Sequence, residues 1–551
     1  MKRKWEHPEE SDQDPQWARR SYWRSSEELE DTPEFREWLE QEFPRGASEV
    51  TGEEATEESR RSFMKLMGAS VSLAGFGLAS CRRPDQYLVS ANDHSELVPG
   101  EPEYYSSAFD TPHGGIPLTV TTNDGRPTLL AVNRKHPGGW LGLGSHAQAS
   151  ILELYDPDRT KHVLRSGEQS SWEAFTEEVL PKLTAGGGEG TAILLGGSSS
   201  PSRASLVKRV QSALPKLQIF QYEPLLSESA INSSQTMYGP GGGTVPHVDR
   251  ADVILSLDCD FLGLEEIGEG TPAKWASRRK PEGKMSRLYS VEPCFTPTGG
   301  MADHRLRLPS SQIVKVAVLL AERCGLSSEV ASWKAKIGLA EELINMAWID
   351  GVVEDLLAHK GKALVVAGAR QPESVHLLVG LINHALNAFE GGRPVLEVKR
   401  GGEKGLPGMA AFSKALKSGI RHVVSLTPAD PLFDAPANLH LEEALAQVEL
   451  LVHAGLRPGA TGNVSQWHLP MAHFLEAWGD TVSPSGVYSV VQPMVQPFFG
   501  GKSDLEFLGM LLPAEGAADE SEAKGFSAYE EVRETAKGRV SGDFEKAWRL
   551  G

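Results

Sequence analysis

Six short apolar runs, four to seven residues each, punctuate the chain between residues 191 and 452, with helical stretches between them. They are Thr191 to Leu195, Ala251 to Leu257, Arg287 to Val291, Ala363 to Ala367, Val423 to Leu426 and Val448 to Val452. Runs this short, without polar alternation, are strands buried on both faces. Separated by helices, they specify an α/β chain with doubly wound parallel sheets. The helical spacing of Trp172, Phe175, Val179, Leu180 and Leu183 predicts one such helix, and Gln312 to Glu322 and Glu373 to Phe389 predict two more. Ligands of such sheets bind at the carboxyl ends of strands. The loop Gly196-Gly197-Ser198-Ser199-Ser200, with Pro201 opening a helix capped by Ser200, is therefore a candidate phosphate cradle. The same loop would equally serve to close an α/β unit and bind nothing.

The region before residue 171 is different. Pro117 to Asn123, the turn Asp124-Gly125-Arg126-Pro127 and Thr128 to Asn133 predict a β-hairpin. His136-Pro137 and Tyr155-Asp156-Pro157-Asp158-Arg159 follow, and a charged helical tail begins near Ala514.

Ser59-Arg60-Arg61-Ser62-Phe63-Met64-Lys65 and the Gly/Ala-rich run Leu66 to Ser80 match the twin-arginine export pattern, with Arg60 and Arg61 as its arginine pair. Leu78-Ala79-Ser80-Cys81 reads as a lipobox whose Cys81 is acylated. Each CH₂ of an acyl chain contributes about 0.8 kcal/mol of membrane binding. Upstream, residues 26–58 hold 13 acidic residues against Arg36 and Arg45. Within that leader Pro33 to Phe43 forms an amphipathic pattern, with Phe35, Trp38, Leu39 and Phe43 on one face. It reads either as a solvated acidic leader or as a docking helix for a cytoplasmic partner.

A formal charge of −19 over 551 residues repels phosphate backbones, which argues against a nucleic-acid partner. Four cysteines exclude a disulfide framework and any self-contained series of iron-sulfur clusters. H-x-x-x-H, H-E-x-x-H, C-x-x-C-H and G-x-S-x-G are all missing, so zinc hydrolysis, c-type haem attachment and a serine hydrolase elbow lack their residues. Cys259, Cys294 and Cys324 stand isolated beside apolar stretches and are expected in the core, with a shared metal site as the alternative.

Asp-Gly-Arg-Pro (124–127), Asn133 with His136-Pro137, and Tyr-Asp-Pro-Asp-Arg (155–159) before Trp172 resemble, in that order, the molybdopterin oxidoreductase family. Arg250 to Leu257, Ala302 to Leu306 and Leu469 to Glu476 with Trp478-Gly479-Asp480 resemble its later landmarks. The acidic leader, the internal twin-arginine signal, Cys81 to Pro84, Leu255 to Asp260 and His473 to Asp480 resemble more closely the molybdopterin-like domain of alternative complex III, a bacterial membrane assembly that oxidises quinols. That resemblance spans roughly residues 20–515. It implies α/β domains of which one is inserted in the other, with the family's C-terminal β-barrel and ferredoxin-like parts absent here.

The family's active members hold molybdopterin guanine dinucleotide with molybdenum, and a four-cysteine cluster near the first hairpin. Between Tyr104 and Ser150 this chain has no cysteine, and Gly144-Ser145-His146-Ala147-Gln148 stands where the fourth ligand is expected. A cubane cannot form there without thiolates. No cysteine lies between Cys81 and Cys259, which leaves Ser233 or Ser234 as oxygen ligands in principle. Asp258-Cys259-Asp260 replaces the small turn that meets a pyrophosphate. A carboxylate 4 Å from such an anion costs about 4 kcal/mol at an effective dielectric near 20. Arg250 is the one basic residue expected nearby.

The reading is a leader (1–58), a signal and lipobox (59–81), a β-rich region without a cluster (82–170), α/β domains (171–330 and 331–515) and a charged helical tail (516–551). No catalytic, cofactor or metal residue is assigned. The expected role is a cofactor-less scaffold in a membrane-bound quinol:acceptor oxidoreductase of the alternative complex III kind. Its expected place is the periplasmic face of the inner membrane, reached through the twin-arginine translocase. Its expected partners are an iron-sulfur protein, a multihaem cytochrome and a polytopic quinol-binding subunit. The alternatives are an active molybdopterin enzyme with an oxygen metal ligand, and a solitary lipoprotein.

Overall fold

The computed structural model describes residue 33 and residues 100–551, apart from 138–141, 225, 226, 266, 269, 338–343, 400–404, 514–524, 541 and 551. The chain divides into two units, Met1–Ser95 and Glu96–Gly551. Arg60, Arg61, Cys81 and, beyond Pro33, the amphipathic leader segment lie outside the described residues.

In the second unit β1 (Glu103–Phe109), β2 (Ile116–Asn123) and β3 (Arg126–Val132) form an antiparallel sheet, so the predicted hairpin is the β2–β3 pair. The chain then lays down β4 (Val163–Arg165), β5 (Glu168–Ser170), β6 (Thr191–Leu195) and β7 (Gln218–Gln221) of a second sheet. After β7 it leaves that sheet and forms β8 (Gly243–Pro246) outside it. It builds a separate four-stranded one from β9 (Val253–Leu257), β10 (Arg287–Glu292), β11 (His304–Arg307) and β12 (Ala363–Ala367), ordered β11-β10-β9-β12 and parallel throughout. β13 (Leu396–Lys399) pairs with β8, and the chain then returns to the second sheet as β14 (His422–Leu426), β15 (Leu450–Gly455) and β16 (Trp467–Pro470). The completed seven-stranded order is β5-β4-β16-β15-β14-β6-β7. A last hairpin, β17 (Gly479–Val482) and β18 (Tyr488–Val491), closes the set.

One α/β sheet is thus interrupted by another. The sheets change over between Gln221 and Val253 and again between Ala367 and His422, whereas residue 330 falls inside the helix Ser327–Ile337. Every residue of β6, β9 and β14 is buried, because helices cover both faces of each sheet. Phe175, Leu206 and Trp467 pack on one face of the seven-stranded sheet, and Phe220 and Phe412 on the other. Among the described residues no helix is long and apolar enough to cross a membrane.

Candidate functional site

The Gly-Ser loop sits where it was expected, between the carboxyl end of β6 and the helix Pro201–Ala213. Ser200 caps that helix by accepting from Arg203 N at 3.0 Å. The loop and the helix start present amide and hydroxyl donors to an anion, and the chain's own carboxylates take them. Asp110 accepts from Ser199 N at 3.0 Å, Ser199 Oγ at 2.7 Å, Thr481 Oγ1 at 2.7 Å and Ser198 Oγ. Asp480 accepts from Ser202 N at 3.2 Å, Ser202 Oγ at 2.5 Å, Tyr488 Oη at 3.1 Å and Ser200 Oγ. Burial pushes both carboxyls above the usual range, against these hydrogen bonds. The glycines serve packing: a Cβ on Gly196 would lie 2.5 Å from the Pro428 ring, and one on Gly197 2.5 Å from Pro112.

The carboxyl edge of the four-stranded sheet repeats the pattern. Asp258 follows β9 in a left-handed conformation (φ 55°), and a Cβ on Gly368 would meet its carbonyl oxygen at 1.8 Å. Its carboxylate accepts from Gln371 Nε2 at 2.7 Å, with Arg370 at 3.8 Å. Burial raises its pKa while Gln371 and Arg370 oppose the rise. Asp260 accepts from Thr298 N at 3.1 Å, Thr298 Oγ1 at 2.9 Å and Leu264 N at 3.1 Å. Glu265 takes Ala369 N at 2.7 Å, and Glu292 takes Arg305 Nε at 2.6 Å. On the seven-stranded sheet Asp430, beyond β14, accepts Thr461 N at 3.0 Å. Asp258 and Asp260 are therefore turned inward and hydrogen-bonded, not loose charges on a turn. The bases beside this edge are Arg370 and Arg305. Arg250 lies elsewhere, bonding Pro394 O at 3.0 Å and pairing with Glu397 at 3.1 Å.

Cys259 and Cys324 are buried as expected, and burial pushes the first thiol well up and the second to about 11. Cys294 is exposed, which corrects the core expectation: it follows β10 in a loop whose next residue, Phe295, is also 77% exposed. Ser233 is buried in the helix Glu228–Tyr238 and donates to Ala230 O at 2.9 Å; Ser234 is half-buried in the same helix. His146 and Gln148 lie in the short helix Ser145–Ala149. Among the described residues no three His, Cys, Asp or Glu side chains are grouped to hold a metal ion.

Two relationships were missed by spacing arguments. His453 and His468 stand opposite each other on β15 and β16, with Nδ1 atoms 2.9 Å apart, and His468 Nε2 meets Thr160 Oγ1 at 2.6 Å. Burial holds both at about 4. His473, which follows His468 closely in sequence, instead caps the turn Phe474–Glu476 and reaches Ser150 O at 3.0 Å. Parallel strand register, invisible in one-dimensional spacing, makes the histidine pair.

In fold and in the order of its motifs the chain is similar to the molybdopterin oxidoreductases. The "Menaquinone reductase, molybdopterin-binding-like subunit" of Nitratidesulfovibrio vulgaris is 23% identical over 491 residues, covering 80% of this chain and 70% of that protein. The solved structure of acetylene hydratase from Pelobacter acetylenicus superposes with a TM-score of 0.53 at 12% identity, over 74% of this chain and 68% of that one. No protein-family model matches the chain.

Proposed function

We propose that this chain is a non-catalytic structural subunit of a membrane-bound quinone oxidoreductase, of the alternative complex III kind, and holds its electron-carrying partners in place. The observation that carries the reading is the use of its own carboxylates, Asp110, Asp480, Asp258, Asp260, Glu265 and Asp430, on the donors at the carboxyl ends of both sheets. A pterin dinucleotide needs those donors for its phosphates, so the residues present do not fit molybdopterin guanine dinucleotide. The region of the missing cluster has no thiolate to offer. The likeness to a menaquinone reductase subunit supports a place in a quinone-linked assembly. The partners are an iron-sulfur protein, a multihaem cytochrome and a polytopic quinol-binding subunit. Export by the twin-arginine route through Arg60 and Arg61, with acylation of Cys81, would bring the chain to the periplasmic face of the inner membrane.

Metal and pterin analysis of the complex purified from its own membranes tests the reading. Molybdenum, tungsten and oxidised pterin are expected far below one per chain. Stoichiometric metal and pterin would overturn it in favour of an active enzyme with an oxygen ligand.

A further inference from the structure

The amino edge of the four-stranded sheet carries a basic surface on an acidic chain. Arg279 donates to Ser286 O at 2.5 Å and Ser286 N donates to Arg278 O at 3.2 Å, which closes the base of a loop. Residues 280–285, Lys-Pro-Glu-Gly-Lys-Met, extend from that base and are all exposed, with 45% of Met285 in solvent. Arg278, Arg279 and Arg287 are taken by Asp252, Asp303 and Asp355. Lys362 stands 3.8 Å from Asp252, already shared with Arg278. Among the described residues Lys280, Lys284 and Lys360 have no ion-pair partner, and Glu282 is the one carboxylate on the loop.

We propose that this edge docks on the anionic headgroups of a membrane surface, with Met285 entering between them. The inference rests on the reading of the chain as a membrane-held subunit. Screening over about 10 Å at 0.1 M salt confines the field to the local lysines, so the distant acids do not cancel it. Each basic side chain beside an anionic leaflet raises partitioning about fivefold. An acidic protein surface would satisfy the lysines as well, but an exposed thioether next to Lys284 suits an interface that admits apolar groups.

The test is flotation of the full-length chain, carrying Cys81→Ser so that no acyl chain contributes, with phosphatidylglycerol:phosphatidylcholine (1:3) vesicles and with phosphatidylcholine vesicles alone. Binding is expected only to the anionic vesicles. It falls by more than about 25-fold in Lys280→Glu/Lys284→Glu, since each lysine lost removes a fivefold factor and each glutamate adds repulsion, and less in Met285→Ser, with circular dichroism unchanged. Should the charge-reversed protein fail to fold, Lys280→Gln/Lys284→Gln gives the comparison with a loss of about 25-fold. Equal binding to neutral vesicles, no binding, or no loss in the variants overturns the proposal. Binding to poly-L-glutamate without vesicle binding reassigns the edge to an acidic protein. Metal and pterin content is read separately, so failure here is distinct from failure of the scaffold reading.

Discussion

Arg159 and Glu476, 317 residues apart, form a bidentate ion pair with bonds of 3.0 and 2.6 Å and side chains 2% and 0% exposed. Arg159 also donates to Leu154 O at 3.0 Å, and Glu476 accepts from Phe498 N at 3.0 Å and His473 N at 2.8 Å. Two motifs that carry the family resemblance in sequence are joined as a fastening between the β-rich region and the segment after β16.

Breaking that pair leaves an uncompensated buried charge. Arg159→Ala or Glu476→Ala should each cost about 3–5 kcal/mol, read as a shift in urea midpoint. The double replacement Arg159→Met/Glu476→Leu should cost less than either. Burial works to raise the Glu476 pKa, but Arg159 and the backbone donors hold it below the usual value. Its stabilisation is present above the ordinary glutamate pKa and is lost as pH falls through the lower folded value. Glu476→Gln should remove that acid-side slope.

The histidine pair titrates in a different window. With folded values at about 4 against an ordinary 6.5, His453 and His468 contribute stability that is complete above pH 6.5 and drains as pH falls towards 4. The loss is about 3 kcal/mol for each histidine. His453→Leu/His468→Leu should flatten the stability curve between pH 6.5 and 4, although His473, also held at about 4 by burial, retains its share.

Asp480→Ala strips the acceptor from Ser200, Ser202 and Tyr488. It should cost about 3 kcal/mol and speed amide exchange in the first turn of the Pro201–Ala213 helix. Asp480→Asn should cost less. Unchanged exchange in the alanine variant would show that the helix start does not depend on this carboxylate.

Gly368→Ala forces a methyl into the Asp258 carbonyl. It should destabilise by about 3 kcal/mol, at the upper end for overpacking, and calorimetry should report it. Gly392, with nothing within 4 Å of its Cβ position, is the matched control.

Maleimide should label Cys294 in the native Cys81→Ser chain, whereas Cys259 and Cys324 should react only after unfolding. Peptide mapping distinguishes them.

The parallel strands were legible because β6, β9 and β12 are continuous apolar runs: Thr191 to Leu195 and Ala363 to Ala367 are read with their ends in place, and β9 begins two residues after Ala251. β7, Gln-Ile-Phe-Gln, carries too few apolar residues to show, and β4 and β5 are three residues each. Which sheet a strand joins is set by long-range pairing. β12 pairs with β9, and β14 pairs with β6, so a boundary near 330 follows local pattern where the chain does not. The Gly-Ser loop and its cap were legible for the same local reason. Its partners Asp110 and Asp480 come from β-rich segments 89 and 278 residues distant, which no spacing rule reaches.

Interruption of one sheet by another has a kinetic consequence. Thr191 on β6 faces His422 on β14, 231 residues later. At ribosomal speeds β6 waits roughly 10–50 s for the strand that covers its inner edge. Meanwhile the four-stranded insert, whose strands lie close in sequence, has time to close first. Nascent β6 and β7 are thus the segment of this protein most in need of protection from aggregation during synthesis.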